Sequence, residues 1–285
     1  MKQFDYLVAL LIIALPSCKE TTTHGGNTLT FEPFALDTVV HLYNDTLYPS
    51  CELTLKLQLP TAATDSTLLQ EVQEWVVGQT IGNKYIGEMP EIAVEKYAQD
   101  YISHYLEYEK EYSSAQLKKT LSKQVPFLNY YEQLANTIDF CNEDYLSTTV
   151  ESYAYTGGAH GISGKYSQTY SFDLQRALML TDLFNEQDFA AIGQLIVRQI
   201  SNDQKLDNPN ELQENGFFSI DEVLPSNNFC FNEMGITWTY NPYEIAAYST
   251  GQVDATLTWA QLLPFMQKKR PVYDFAKEHK TPAYE

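Results

Sequence analysis

Apolar and polar residues alternate from Cys51 to Leu59, and this period of two predicts a strand with one buried face. Two helices are predicted next, because apolar residues recur at helical spacing after Asp65 and again after Pro90. The first of these helices is expected to stop near Gly78. The folded part of the chain therefore includes a strand followed by two helices.

A β-rich stretch is predicted after the helices. From about Phe127 to Phe172 the side chains keep a period of two on both sides of a glycine-rich turn, which predicts long antiparallel strands. Apolar spacing then predicts a helix over residues 189–200 and strands over 229–240. Thr258 is a suitable N-cap for a short helix after the last strand.

The order of these elements decides the fold class. Strands and helices do not alternate regularly, as they would in a parallel doubly wound sheet. We therefore predict an α+β protein with an antiparallel sheet and helices packed mainly on one face. A division into two halves is expected at the glycine-rich turn, which gives residues 35–156 and 157–270, followed by a tail over 271–285.

The N-terminus carries a targeting signal. An apolar run over residues 6–15 follows Lys2, and it is too short to span a bilayer of about 30 Å as a helix. The run ends in the residues LPSC, which resemble a bacterial lipobox with Cys18 as its cysteine. We expect residues 1–17 to be a lipoprotein signal peptide, Cys18 to be lipidated, and residues 18–34 to form a flexible tether. The alternative is a plain signal peptide with a chance cysteine.

Lipidation of Cys18 would hold the protein on a membrane of the cell envelope, on either the periplasmic or the surface side of the outer membrane. The residues after the cysteine, Lys19 and Glu20, weakly resemble the signals of surface lipoproteins in the Bacteroidetes. Membrane attachment through Cys18 is therefore the first expected interaction.

The charge of the chain limits its other partners. Lys and Arg number 18 and Asp and Glu number 37, so the formal net charge is −19. Such a chain repels phosphate backbones, and nucleic acid is not expected as a partner. The cysteines Cys51, Cys141 and Cys230 show no C-x-x-C spacing, and Cys51 and Cys141 are predicted to be either core thiols or a disulfide pair.

The densest glycine cluster spans residues 156–165 and contains Gly157, Gly158, His160 and Gly161. It lacks the residues of a phosphate-binding loop and the G-x-S-x-G spacing of a nucleophile elbow. None of the other histidines stands at a metal-binding spacing from His160, so neither a metal nor another cofactor is expected. The simplest interpretation is a hairpin connection whose glycines adopt positive φ.

Two other hypotheses about the function of the protein remain open. A hydrolase or glycan-modifying enzyme could be centred on His160 with nearby carboxylates, and the pairs Asp139 with Glu143 and Asp182 with Glu186 are candidates. A sugar-binding module would instead require exposed aromatic residues, such as the tryptophans at 75 and 259.

Four runs of sequence together resemble a known family. They are YTGGAHG at 155–161, YSFDL at 170–174, LTDLF at 180–184 and GITWTYNPYEIAAYSTG at 235–251. In this order they are similar to the signatures of the RsiV/PdaC-like extracytoplasmic domain. The resemblance covers about Asp37 to Met266, nearly the whole of the chain beyond the signal peptide.

The resemblance implies a binding role. The family includes the outer part of a lysozyme-sensing anti-sigma factor, the non-catalytic half of certain peptidoglycan deacetylases, and many lipoproteins. The metal motif of the deacetylases is missing here, so deacetylation is not implied. The expected function is a lipid-anchored envelope domain that binds a cationic lysozyme-type protein or a peptidoglycan-related ligand, and the candidate binding residues are Gly157, Gly158, His160, Gly161, Tyr243 and Tyr248.

Overall fold

The structure is a computed structural model that describes residues 11–12, 20–24, 27–116 and 126–280. Cys18 and the lipobox that surrounds it lie outside the described residues. No helix in the described part of the chain has the length and apolar character needed to cross a membrane.

Eleven strands occur in the described residues. They are β1 (Leu11–Ile12), β2 (Glu20–His24), β3 (Asn27–His41), β4 (Ser50–Ala63), β5 (Tyr130–Cys141), β6 (Tyr145–Thr156), β7 (Ile162–Ser171), β8 (Arg176–Ala177), β9 (Phe229–Asn232), β10 (Gly235–Tyr240) and β11 (Val253–Thr258). The larger sheet has the order β1-β3-β4-β5-β6-β7-β8 with β2 paired to β3, and the smaller has the order β11-β10-β9.

Seven α-helices lie wholly within the described ranges, and residues 114–116 are also helical. They are α1 (Ser66–Ile81), α2 (Pro90–Leu106), α3 (Tyr108–Glu111), α4 (Leu180–Leu183), α5 (Phe189–Asp203), α6 (Trp259–Leu262) and α7 (Pro271–Glu278). The predicted caps are confirmed at two of them. The Asp65 carboxylate accepts hydrogen bonds from the backbone N–H groups of Thr67 and Leu68, and Thr258 forms a capping box with Gln261.

The predicted α+β class is confirmed, with one difference in strand direction. Strand β4 pairs with β3 in antiparallel fashion but with β5 in parallel, from Cys51 opposite Tyr130 to Lys56 opposite Ala135. A parallel pair requires a crossover connection, and helices α1 and α2 lie in the connection between β4 and β5. The alternation predicted for β4 is confirmed, because Cys51 and Leu59 are buried and Glu52 is exposed.

The chain divides into two compact units. The first unit comprises Met1–Asn136 and Glu151–Ser163, and the second comprises Thr137–Val150 and Gly164–Glu285. The break at 163/164 falls in the glycine-rich region where a division was expected, but the segment 137–150 belongs to the second unit. Strands β5, β6 and β7 each contribute residues to both units.

Each unit has its own core. In the first unit, helices α1 and α2 contact β4, whose leucines are buried. In the second unit, the largest fully buried side chains include Trp238 and Trp259, which belong to one hydrophobic cluster with residues of α5 and β9 to β11.

Two segments expected to be irregular are ordered. Strand β3 starts at Asn27, and Leu29 and Phe31 are fully buried, so the tether expected up to residue 34 is wrong for this part. The expected tail is helical over Pro271–Glu278, because Val272, Phe275 and Ala276 lie on one face of α7 and are buried in the core.

Candidate functional site

The first candidate region is the connection between β6 and β7 in the first unit. It brings together Gly157, Gly158, His160 and Gly161, as the sequence predicted. The His160 side chain is exposed, and its Nδ1 lies 2.9 Å from the carbonyl oxygen of Gly161. The histidine therefore lies in the connection of the hairpin and contacts the backbone of its neighbour Gly161.

Packing explains two of the glycines. Gly157 has φ +88°, and a Cβ atom there would lie 2.0 Å from the carbonyl oxygen of Phe127. A Cβ atom at Gly161 would lie 2.3 Å from the ring of Tyr153. Gly158 meets no such obstacle, since the nearest atom to its Cβ position is 3.6 Å away. The motif is thus suited to close packing of the hairpin, and it does not need a bound ligand to explain it.

The geometry gives little support to the hypothesis that the protein is a hydrolase or a glycan-modifying enzyme. Within the described ranges no group of three or more His, Cys, Asp or Glu side chains could hold a metal ion. Asp182 is bound by both terminal nitrogens of Arg176, at 2.7 and 2.8 Å, and these hydrogen bonds hold the pKa of its carboxyl below the usual value. Asp139 accepts a hydrogen bond of 2.6 Å from Thr149. These two carboxylates therefore have structural partners.

The second candidate region is the loop after β10 in the second unit, which begins at Asn241. The Asn241 side chain bonds the backbone of Lys165 on β7 twice, accepting from its N–H at 2.7 Å and donating to its C=O at 3.1 Å. The Glu244 carboxylate accepts a hydrogen bond from the Asn241 N–H at 2.9 Å. Hydrogen bonds of the Asn241 and Glu244 side chains therefore fix the start of the loop.

Tyr243 lies within this loop in an unusual conformation. Its φ is +74°, in the left-handed region that bulky residues rarely adopt, and its N–H donates to the carbonyl oxygen of Ala246. The residue is 61% exposed, and its ring stacks on that of Tyr248, with centroids 5.5 Å apart and planes 30° apart. The structure therefore brings together Tyr243 and Tyr248, the two aromatic residues predicted from the sequence.

Charged and polar side chains support the base of the loop. Lys165 Nζ donates to Asp254 at 2.7 Å, and the Thr239 hydroxyl donates to the other oxygen of the same carboxylate at 2.7 Å. The Asn228 side chain donates to the Lys165 carbonyl oxygen at 2.9 Å. Sequence reasoning missed these residues because each contact joins segments far apart in the chain, and no local spacing indicates them.

The other candidate residues are mostly internal. Trp259 is fully buried, and its ring N–H donates to the Asn232 carbonyl oxygen, so it offers no sugar-binding surface. The three described cysteines are free thiols. Burial raises the pKa of the Cys51 thiol to about 12 and that of Cys230 to about 11, which favours the protonated thiol over the thiolate at neutral pH.

Two family models match parts of the chain. Residues 50–163 match the family model described as deacetylase PdaC, and residues 181–260 match the model described as a protein of unknown function, DUF3298. No curated protein matches the chain significantly.

Two solved structures share the fold. A member of the DUF3298 family from Bacteroides fragilis is 26% identical, with a TM-score of 0.80 over 88% of this chain and 98% of that chain. A DUF3298 family protein from Pseudomonas aeruginosa is 16% identical, with a TM-score of 0.55 over 84% of this chain and 94% of that chain. The chain therefore carries a PdaC/DUF3298-like domain, as the sequence resemblance predicted.

Proposed function

We propose that this protein is a lipid-anchored binding domain of the cell envelope that recognises a cationic, lysozyme-type protein through the loop around Tyr243. The observation that carries the proposal is the exposed Tyr243, which keeps a positive φ and stacks on the half-buried ring of Tyr248. The lipid anchor in this proposal is attached to Cys18, which lies outside the described residues.

The backbone of Tyr243 supports a surface role. A non-glycine residue in a sparsely populated conformation costs about 1–3 kcal/mol, and such residues concentrate at functional sites. The side chain recovers little of this through burial, because most of it faces solvent. A glycine would relieve the strain, so the tyrosine ring itself is the feature that the loop presents.

Aromatic residues of this kind are suited to protein recognition. Tyrosine gives a large contact area for a small loss of side-chain entropy, and it is enriched among the residues that dominate binding energy. The hydrogen bonds of Asn241 and Glu244 hold the loop before a partner arrives, which lowers the ordering cost of binding.

The charge of the protein favours a basic partner. A formal charge of −19 attracts cationic proteins over long range and accelerates their association. A lysozyme-type muramidase is a basic protein that attacks the envelope, and it therefore fits this surface better than an acidic ligand does. The enzyme alternative has less support, because His160 is exposed and its Nδ1 contacts the carbonyl oxygen of Gly161.

Binding of the full-length chain, purified in detergent, to immobilised c-type lysozyme tests the proposal. We expect Tyr243→Ala to weaken binding by at least about tenfold, as truncation of a dominant interface residue does. Met234→Ala is the matched control, since Met234 is 67% exposed at the opposite end of β10. Its affinity should stay within about twofold of the wild type.

Three results would overturn the proposal. One is the absence of lysozyme binding by the wild-type chain. The second is an equal loss of affinity in both variants. The third is Tyr243-dependent binding of peptidoglycan fragments without any binding of lysozyme, which would favour a peptidoglycan-related ligand.

A further inference from the structure

Part of one face of the sheet in the first unit is exposed to solvent around Glu52. Helices α1 and α2 contact β4, and Leu53 is buried on this side. Leu53 lies opposite Glu132 of β5, and Glu132 accepts a hydrogen bond from Tyr97 of α2. The neighbouring pair in the register, Glu52 opposite Tyr131, therefore points to the face away from these helices, where Glu52 is exposed.

Two tyrosines form an aromatic shelf on this open face. The rings of Tyr131 on β5 and Tyr153 on β6 have centroids 5.8 Å apart and planes 58° apart. Tyr153 is 37% exposed, and its ring lies directly against Gly161, where any side chain would clash with it. The absence of a side chain at Gly161 therefore allows the Tyr153 ring to lie against the hairpin while the residue stays partly exposed.

Carboxylates flank the shelf on both sides. Glu52 is the cross-strand neighbour of Tyr131, and Glu151 precedes Tyr153 by two residues on β6, so alternation places it on the same face. Both glutamates are exposed. The shelf thus combines aromatic ring faces with two negative charges.

We propose that the shelf formed by Tyr131, Tyr153, Glu52 and Glu151 is a docking site for an arginine- or lysine-rich segment of a partner protein. Guanidinium and ammonium groups are attracted to tyrosine ring faces and are paired by carboxylates at the same time. The same carboxylates repel polyanions, which opposes a nucleic acid or an acidic polysaccharide at this site. The site lies in the first unit and does not depend on the Tyr243 loop for its chemistry.

Titration of the full-length chain with a hexa-arginine peptide, followed by calorimetry, tests the site. The double variant Glu52→Gln with Glu151→Gln should weaken binding by about tenfold, which corresponds to about 1.4 kcal/mol. Glu186→Gln with Glu233→Gln is the matched control, because it removes the same charge from exposed positions outside the shelf. The control should bind within about twofold of the wild type.

A second variant separates the ring from the charges. Tyr153→Leu keeps an apolar side chain against Gly161 but removes the aromatic face, and it should weaken hexa-arginine binding about threefold or more. Lysozyme binding by the wild type reports on the proposed function, and hexa-arginine binding by the shelf variants reports on this site, so failure of the one and failure of the other are distinguishable.

Equal weakening by the two charge-matched double variants would overturn the proposal, because it would show attraction by net charge alone. Binding of a neutral chitin oligosaccharide at Tyr153, with no binding of hexa-arginine, would also overturn it and would assign the shelf to a glycan.

Discussion

The Tyr97 hydroxyl donates a hydrogen bond to Oε1 of Glu132 and so joins helix α2 to strand β5. Burial raises the pKa of Glu132, and the hydrogen bond from Tyr97 lowers it in part. A carboxyl whose pKa is raised on folding is favoured in its neutral form. The ionisation of Glu132 therefore opposes folding.

This relationship predicts a pH effect. The contribution of Glu132 to stability is fully present below its unfolded pKa near 4.5 and is lost as pH rises through its folded pKa. The variant Glu132→Gln should not lose stability in this way, and its amide oxygen can still accept the hydrogen bond from Tyr97. Thermal unfolding from about pH 4 to about pH 8 should show the wild type losing more stability than the variant. If the stabilities of the two proteins change equally with pH, this would contradict a raised pKa for Glu132.

A second prediction concerns the hairpin glycines. Gly157→Ala should lower the free energy of unfolding by about 1–3 kcal/mol, because the new Cβ would meet the Phe127 carbonyl at a positive φ. Gly158→Ala, one residue away and free of such a clash, should change it by less than about 0.5 kcal/mol. Urea unfolding measures both. Equal effects would show that the clash does not determine the choice of glycine.

A third prediction concerns the anchor. In a bacterial host the mature chain should begin at an acylated Cys18 and fractionate with membranes, since several acyl chains at about 0.8 kcal/mol per methylene give stable attachment. Cys18→Ser should abolish acylation, whereas Cys141→Ser should not. Mass spectrometry of the N-terminal peptide decides this. A mature chain that begins at another residue, carries no acyl group and is found in a membrane-free fraction would refute the lipoprotein assignment.

Local patterns predicted much of the fold. The alternation of Cys51 to Leu59, the Asp65 cap and the Thr258 cap all depend on nearest neighbours in the chain, and all are confirmed. Helix α1 nevertheless continues past Gly78 to Ile81, since an interior glycine costs only about 1 kcal/mol and Val76, Val77 and Ile81 are buried.

Features that depend on distant contacts were not predictable. A period of two does not encode strand direction, so the parallel pairing of β4 with β5 could not be inferred. The sequence indicated Tyr243 and Tyr248 only through the family resemblance. The conformation of Tyr243 depends on a loop held by Asn241, whose side chain bonds Lys165, 76 residues away in sequence.

The most direct test of the central claim is the salt dependence of lysozyme association. The net charge of −19 predicts that the association rate with c-type lysozyme falls by at least about tenfold from about 50 mM to about 500 mM salt, as long-range attraction is screened. Tyr243→Ala should instead raise the dissociation rate and leave the salt dependence intact. Association and dissociation rates that change neither with salt nor with the Tyr243 substitution would contradict the account, as would the absence of a complex.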